Sequence, residues 1–145
     1  MTKFIYKFEA IKHVKENLEK KAQKEVAQIE LEIDKLNKEY NILLEEEMIS
    51  RRREFEKGVH IGDIKFKKSY ESNLSKKRSL ITEKINQLNN DKRIKLIELT
   101  QRSKEHKIFD SLEETLHDDF KLEEKHAESV YTDELANQKF IRQKK

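Results

Sequence analysis

From Phe4 to Leu43 the apolar residues return at steps of three and four: Phe4, Phe8, Ile11, Leu18, Ala22, Val26, Ile29, Ile33, Leu36, Tyr40 and Leu43. One place in the run is skipped, at Lys15. That spacing keeps every member on one face of an α-helix and makes a seam for a second helix. At Ala22–Val26 one step of four follows another, a stutter that locally relaxes a left-handed supercoil. The pattern predicts a helix over about 3–57, roughly 80 Å long at 1.5 Å per residue.

A second run follows. Leu74, Ile81, Leu88, Phe109, Leu116 and Val130 share one register of seven, which also meets Lys95, Arg102 and Glu123. Tyr70, Ile85, Leu99, Leu112, Phe120 and Ala127 hold the companion positions. This predicts a helix over about 63–138 and a tail at 139–145. Lys92, Lys95, Arg102 and His106 interrupt the seam between 91 and 107. Weaker packing, or a partner's acidic face, is expected there.

Between the runs lies the strongest backbone punctuation in the chain. Both glycines, Gly58 and Gly62, fall here, and there is no proline anywhere. Two helices too polar to survive alone must bury their stripes against each other, which within one chain needs a reversal. Gly58 suits the left-handed residue that ends a helix, and Asp63 suits the N-cap of the next. The expected fold is all-α: a single antiparallel two-helix coiled-coil hairpin over 1–145, turning at 58–62. About 20 residues of the longer second helix should project beyond the first or bend. The asparagine-rich stretch 86–91 is a rival site for a second turn and a three-helix bundle. No glycine or proline supports it, and Ile85–Leu88 keeps helical spacing.

Composition agrees with a rod better than with a globule. Charged residues make up 42% of the chain and hydrophobic ones 34%, too few for a thick core. The net charge of +3 is unevenly placed. Residues 58–104 hold 12 Lys/Arg against 5 Asp/Glu, whereas 105–145 hold 7 against 11. The absence of cysteine excludes disulfides and thiolate chemistry. Lys3, Lys7 and Lys12 interrupt the N-terminus, so neither a signal-peptide core nor a membrane span is expected, and the chain reads as cytoplasmic.

Chemistry is sparse. No two of His13, His60, His106, His117 and His126 have the spacing that puts both rings on one helix face. Glu113 and His117 do, but a metal site needs three or four ligands. There is no glycine-rich phosphate loop and no serine in a nucleophile motif. The expectation is no catalytic residue, no metal, no cofactor and no enzyme activity. Basic clusters with interleaved aromatics, Arg51–Arg53 with Phe55 and Lys65–Lys68 with Phe66 and Tyr70, flank the turn. They admit a solvated helix end, an acidic protein surface, or nucleic acid held by phosphate contacts and stacking. Phe4, Tyr6 and Phe8 are either the closing end of the seam or a membrane-surface segment. Leu36, Tyr40 and Leu43 belong to the seam, but Ile42 and Leu44 widen the stripe beyond it, toward solvent or a partner.

The stretch FIYKFEAIKHVKENLEKKAQKEVAQI resembles the opening of the FliJ family of flagellar type III export proteins, through Phe4, Phe8, Glu9, Ile11, Leu18, Glu19, Ala22 and Val26. YESNLSKKRSLI after the glycines is similar to that family's tip and second-helix start, and TDELANQKFIRQKK to its closing stretch and basic tail. The resemblance implies an antiparallel coiled coil similar to the stalk of rotary ATPases. Its paired terminal end would enter the hexameric export ATPase, and its hairpin region would reach the export gate in the inner membrane. Export chaperones are further implied partners, and membrane association would come only through partners. By the same resemblance Phe4, Phe8, Asp133, Glu134 and Arg142 are the ATPase-facing candidates. Tyr40, Leu43, Tyr70 and Leu74 are the gate-facing candidates. Asn73 and Lys77 stand where the family often has apolar or aromatic residues, which implies a more polar gate contact. The rival readings are the equivalent stalk of a virulence-type secretion system and a basic coiled coil that binds nucleic acid or ribosomes. No nucleic acid is expected in the first reading.

Overall fold

A computed structural model describes residues 2–56 and 61–144, with the side chains of 54–56 excepted. Two helices account for nearly all of it: α1, Glu9–Glu56, and α2, Ile61–Gln143. They pack against each other as an all-α helical hairpin, with no strand among the described residues. The chain divides into two compact units, Met1–Glu19 with Gln101–Lys145 and Lys20–Thr100.

In the first unit Lys12 pairs with Glu113, Lys15 with Glu105 and Glu19 with His106. In the second, Glu25 pairs with Lys95, Glu30 with Lys92 and Glu47 with Arg78. In the second unit the α2 number falls at each step as the α1 number rises, and in the first it falls from Glu113 opposite Lys12 to Glu105 and His106 opposite Lys15 and Glu19, so the helices are antiparallel. Each pair of numbers adds to between 120 and 125.

The α1 seam faces α2 over most of its length. Ala22 and Val26 are buried, and Leu18, Ile29, Ile33, Leu36, Tyr40 and Leu43 are half-buried. Ile11 departs from it and lies exposed, while Lys12 and Lys15 turn inward to carboxylates of α2. On α2, Leu74 is buried and Ile81, Ile85, Leu88, Leu99, Phe109, Leu112, Leu116 and Phe120 are half-buried. Ala127 and Val130 are exposed, because residues 121–144 extend past the last residue that α1 and its leader can face. Leu44 is half-buried and Ile42 exposed, so the widened stripe divides between the two helices and solvent. The asparagine-rich stretch stays helical.

Three boundaries differ from the sequence expectation. Helix α1 begins at Glu9 rather than near residue 3. Residues 2–8 alternate instead: Phe4, Tyr6 and Phe8 are turned inward, and Lys3, Ile5 and Lys7 outward. Period two is the signature of extended chain, and there it overrides the 3–4 ladder that Phe4 and Phe8 join. Glu9 then supplies a carboxylate in the first helical turn, where the dipole favours it. At the second, α2 begins at Ile61, which places Gly62 and Asp63 inside its first turn. Gly62 is therefore a helical residue with no positive φ, and Asp63 is a first-turn acid rather than the N-cap. Helix α2 also continues to Gln143, through residues expected as a tail. Gly58 lies outside the described residues.

Candidate partner-binding surfaces

The residues around Phe4 form an aromatic cluster in the first unit. Phe4 meets His117 edge-on at 5.0 Å between ring centroids and Phe120 at 5.5 Å. Phe8 stands 6.0 Å from Tyr6 and 6.5 Å from Phe109. Tyr6 is buried and donates its hydroxyl to the Phe109 carbonyl at 2.8 Å. Burial raises the Tyr6 pKa, and the carboxylates of Glu113 and Asp110 add to the rise while Lys12 opposes it. Lys12 bridges the same two carboxylates, with Asp110 at 3.3 Å, and its ammonium is held above its ordinary pKa chiefly by the bond to Glu113. These contacts make Phe4, Tyr6 and Phe8 the closing end of the helix pair.

The interrupted part of the α2 seam resolves within the chain. In the first unit Lys15 meets Glu105 at 3.0 Å, and His106 lies 2.6 Å from Glu19 through Nδ1 and 3.4 Å from Asp110 through Nε2. In the second, Lys95 reaches Glu25 at 2.9 Å and Lys92 reaches Glu30 at 3.2 Å. The acidic face expected opposite Lys92, Lys95 and His106 is that of α1 itself; Arg102 turns to Glu105 on its own helix. The Lys95 bond lowers the Glu25 pKa, and the Lys15 and Gln101 bonds lower that of Glu105.

The proposed contact residues fall into two environments. Asp133, Glu134 and Arg142 are exposed on the α2 overhang, with Leu122, Val130, Tyr131, Leu135, Phe140 and Ile141 exposed around them. Phe4 and Phe8 are not brought together with them. Asp133 lies 13 positions past Phe120, about 20 Å farther along α2. In the second unit Leu74 is only 3% exposed, so it is a packing residue. Tyr40 is half-buried. Leu43 lines an open groove with Ile42, Leu80 and Ile81, edged by Lys77 and Lys84. Tyr70 lines another with Ile49 and Phe66, edged by Arg53 and Lys67, and its hydroxyl lies 3.5 Å from Glu46. Sequence reasoning missed Glu47, a buried carboxylate held by Arg78 at 3.0 Å and Arg51 at 3.5 Å. Its position four residues after Leu43, in step with the seam, was the available signal.

No group of three or more metal-ligating side chains occurs among the described residues. What the arrangement offers is surface rather than chemistry: an uncovered helix end in one unit and, in the other, apolar grooves whose edges carry Lys77, Lys84 and Glu39, or Arg53, Lys67 and Glu46. The family model described as "Flagellar FliJ protein" matches residues 4–145. The chain belongs to the FliJ family. It is thus a flagellar export-associated coiled-coil protein. No curated protein and no solved structure matches it. No helix among the described residues of this family member is long and apolar enough to cross a membrane.

Proposed function

We propose that this FliJ family member is a non-enzymatic stalk and coupling protein, and a general export chaperone, of the flagellar type III apparatus. It works in the cytoplasm at the inner-membrane export machinery, where it binds the hexameric export ATPase, the export gate and export chaperones. The observation that carries this reading is the overhang. Residues 121–143 make about 35 Å of helix with no α1 residue opposite. A helix that exposes Val130, Tyr131, Leu135 and Ile141 gains from a partner that covers them.

In this reading the overhang enters the ATPase ring, with Asp133, Glu134 and Arg142 supplying polar contacts. Phe4 and Phe8 act indirectly, by clamping the N-terminal leader to α2 and keeping that end of the pair closed. A single hairpin inside a six-fold ring breaks the equivalence of the sites and biases nucleotide turnover without catalytic groups of its own. The second unit serves the gate, Leu43 and Tyr70 as contacts on the grooves and Tyr40 and Leu74 as the packing beneath them. The lysine edges at Lys77 and Lys84 suit a gate surface with a polar share.

The test is stimulation of the export ATPase by substoichiometric chain, with capture of the ATPase by the tagged chain. Tyr131→Asp with Leu135→Asp should lower both by at least tenfold and leave the melting temperature unchanged, since neither side chain packs in the hairpin. Capture of nucleic acid alone, or undiminished stimulation by that double variant, would overturn the reading.

A further inference from the structure

The part of the second unit beside the turn has two properties that its own packing does not use. The first is exposed apolar surface. Ile61 is 78% exposed, in the first turn of α2, and Ile64, three residues on and on the same side of the helix, is exposed as well. The second is unanswered charge. Residues 61–68 hold three cations, Lys65, Lys67 and Lys68, and one acid, Asp63. None of the three lysines has an ion pair among the described residues. Along the paired helices, by contrast, Lys12, Lys15, Lys92, Lys95 and Arg78 are all met by carboxylates.

Each property alone has an ordinary explanation; the combination narrows the field. A solvated helix end accounts for the cations but not for two isoleucines side by side in water. A free phosphate or a nucleic acid also answers the cations. Stacking needs an aromatic face, and Ile61 and Ile64 offer none. An anionic bilayer answers both. Its headgroups take the long cationic side chains, and the apolar side chains enter the boundary beneath them.

We propose that the face of α2 that carries Ile61, Ile64, Lys65 and Lys68, three and four residues apart on one side of the helix, docks on an anionic lipid surface. Contact is interfacial, since no described helix can span a membrane. The proposal does not depend on the ATPase reading, and it gives the chain a direct lipid contact independent of any protein partner.

Vesicle flotation of the purified full chain tests it, comparing phosphatidylcholine alone with a mixture containing phosphatidylglycerol. Binding is expected only to the mixture and should fall as salt rises. Lys65→Gln with Lys68→Gln should lower partitioning about 25-fold, at about fivefold per cation. Ile61→Ser with Ile64→Ser should lower it at least tenfold. Lys139→Gln with Lys144→Gln, on the overhang, should leave it unchanged. All four positions at the face are solvent-exposed, and circular dichroism melts should confirm intact folding. The proposal is overturned if the chain ignores the anionic vesicles. It is equally overturned if the serine pair binds as the parent does, or if the chain binds poly(U) RNA with a matching loss in the lysine pair while lipid binding is weak. Loss of binding in Ile5→Ser with Lys7→Gln, rather than at the turn, would assign the contact to the N-terminal leader and also refute it.

Discussion

Replacing Leu74 by alanine should destabilise the second unit more than any other single truncation in α2. Leu74 is 3% exposed, and it is the one buried apolar residue that α2 contributes among the described residues. Leucine-to-alanine changes in cores cost roughly 2–5 kcal/mol, the transfer term of the lost carbons plus a cavity term that depends on how far the site collapses. A pair of helices is open at its sides, so neighbouring side chains and water can fill the space and the cavity term stays small. The expected cost is therefore at the lower end, about 2–3 kcal/mol. For a chain of this size that lowers Tm by about 6–12 °C. Ile81→Ala, at a half-buried position, should cost about half as much, and Ile97→Ala, on an exposed face, almost nothing. Leu74→Asp should be worse than alanine, because the new carboxylate joins a face already carrying Glu71 Oε1, buried without a hydrogen-bond partner. The assay is thermal melting by circular dichroism at 222 nm, with hydrogen exchange to place the loss in residues 20–100. A Leu74→Ala melt within about 2 °C of the parent would mean that Leu74 does not face α1 and that the register is wrong. The same experiment guards the gate reading. Weak gate binding by a Leu74 variant would reflect a loosened hairpin, whereas Tyr70→Ala, at a residue 39% exposed, probes contact directly.

Gly62→Ala should stabilise the chain by up to about 1 kcal/mol, since a Cβ there meets nothing within 4 Å and alanine is the better helix former; a residue required for a left-handed turn would give the opposite sign. Tyr6→Phe should lower Tm through loss of the hydrogen bond to the Phe109 carbonyl. Because the folded Tyr6 pKa is raised above the model-peptide value of 10.0, its contribution is complete below about pH 10 and is lost as pH rises through the folded value; Tyr6→Phe should therefore show a flatter alkaline limb of Tm against pH. Glu25 and Glu105 have lowered pKa values, so their contribution is present above about 4.5 and is lost as pH falls through the folded values; Glu25→Gln with Glu105→Gln should melt less steeply in acid, a difference that disappears at high salt.

The helices and their seam were legible because each depends on one local period. Ala22, Val26, Leu36 and Leu74 could be assigned to an interior face by counting threes and fours along a single segment. The uncovered end of α2 was legible too, from the unequal chain lengths on either side of the glycines. The leader was misread because Phe4 and Phe8 fit the helical ladder, while the stronger signal, Tyr6 between them and the outward Lys3, Ile5 and Lys7, has period two. Gly62 was misplaced because glycine marks a turn only where a positive φ is needed, and none is needed there. The proposed contact residues were only partly legible. Asp133, Glu134 and Arg142 lie on the surface, whereas Leu74 and Phe8 are engaged in packing, a distinction that composition does not carry.

From the sequence alone came the all-α class, the reversal near the glycines and most of the inward positions, because periodicity belongs to one helix at a time. Only the tertiary structure decided which residue meets which. A register in which paired numbers add to 120–125 sets Glu19, Glu25 and Glu30 opposite His106, Lys95 and Lys92, and so turns an apparent flaw in one seam into a hydrogen bond and two ion pairs between the helices. That relation exists in neither helix separately, because the energy of a charge in a seam depends on what the other chain segment places within a few ångströms of it.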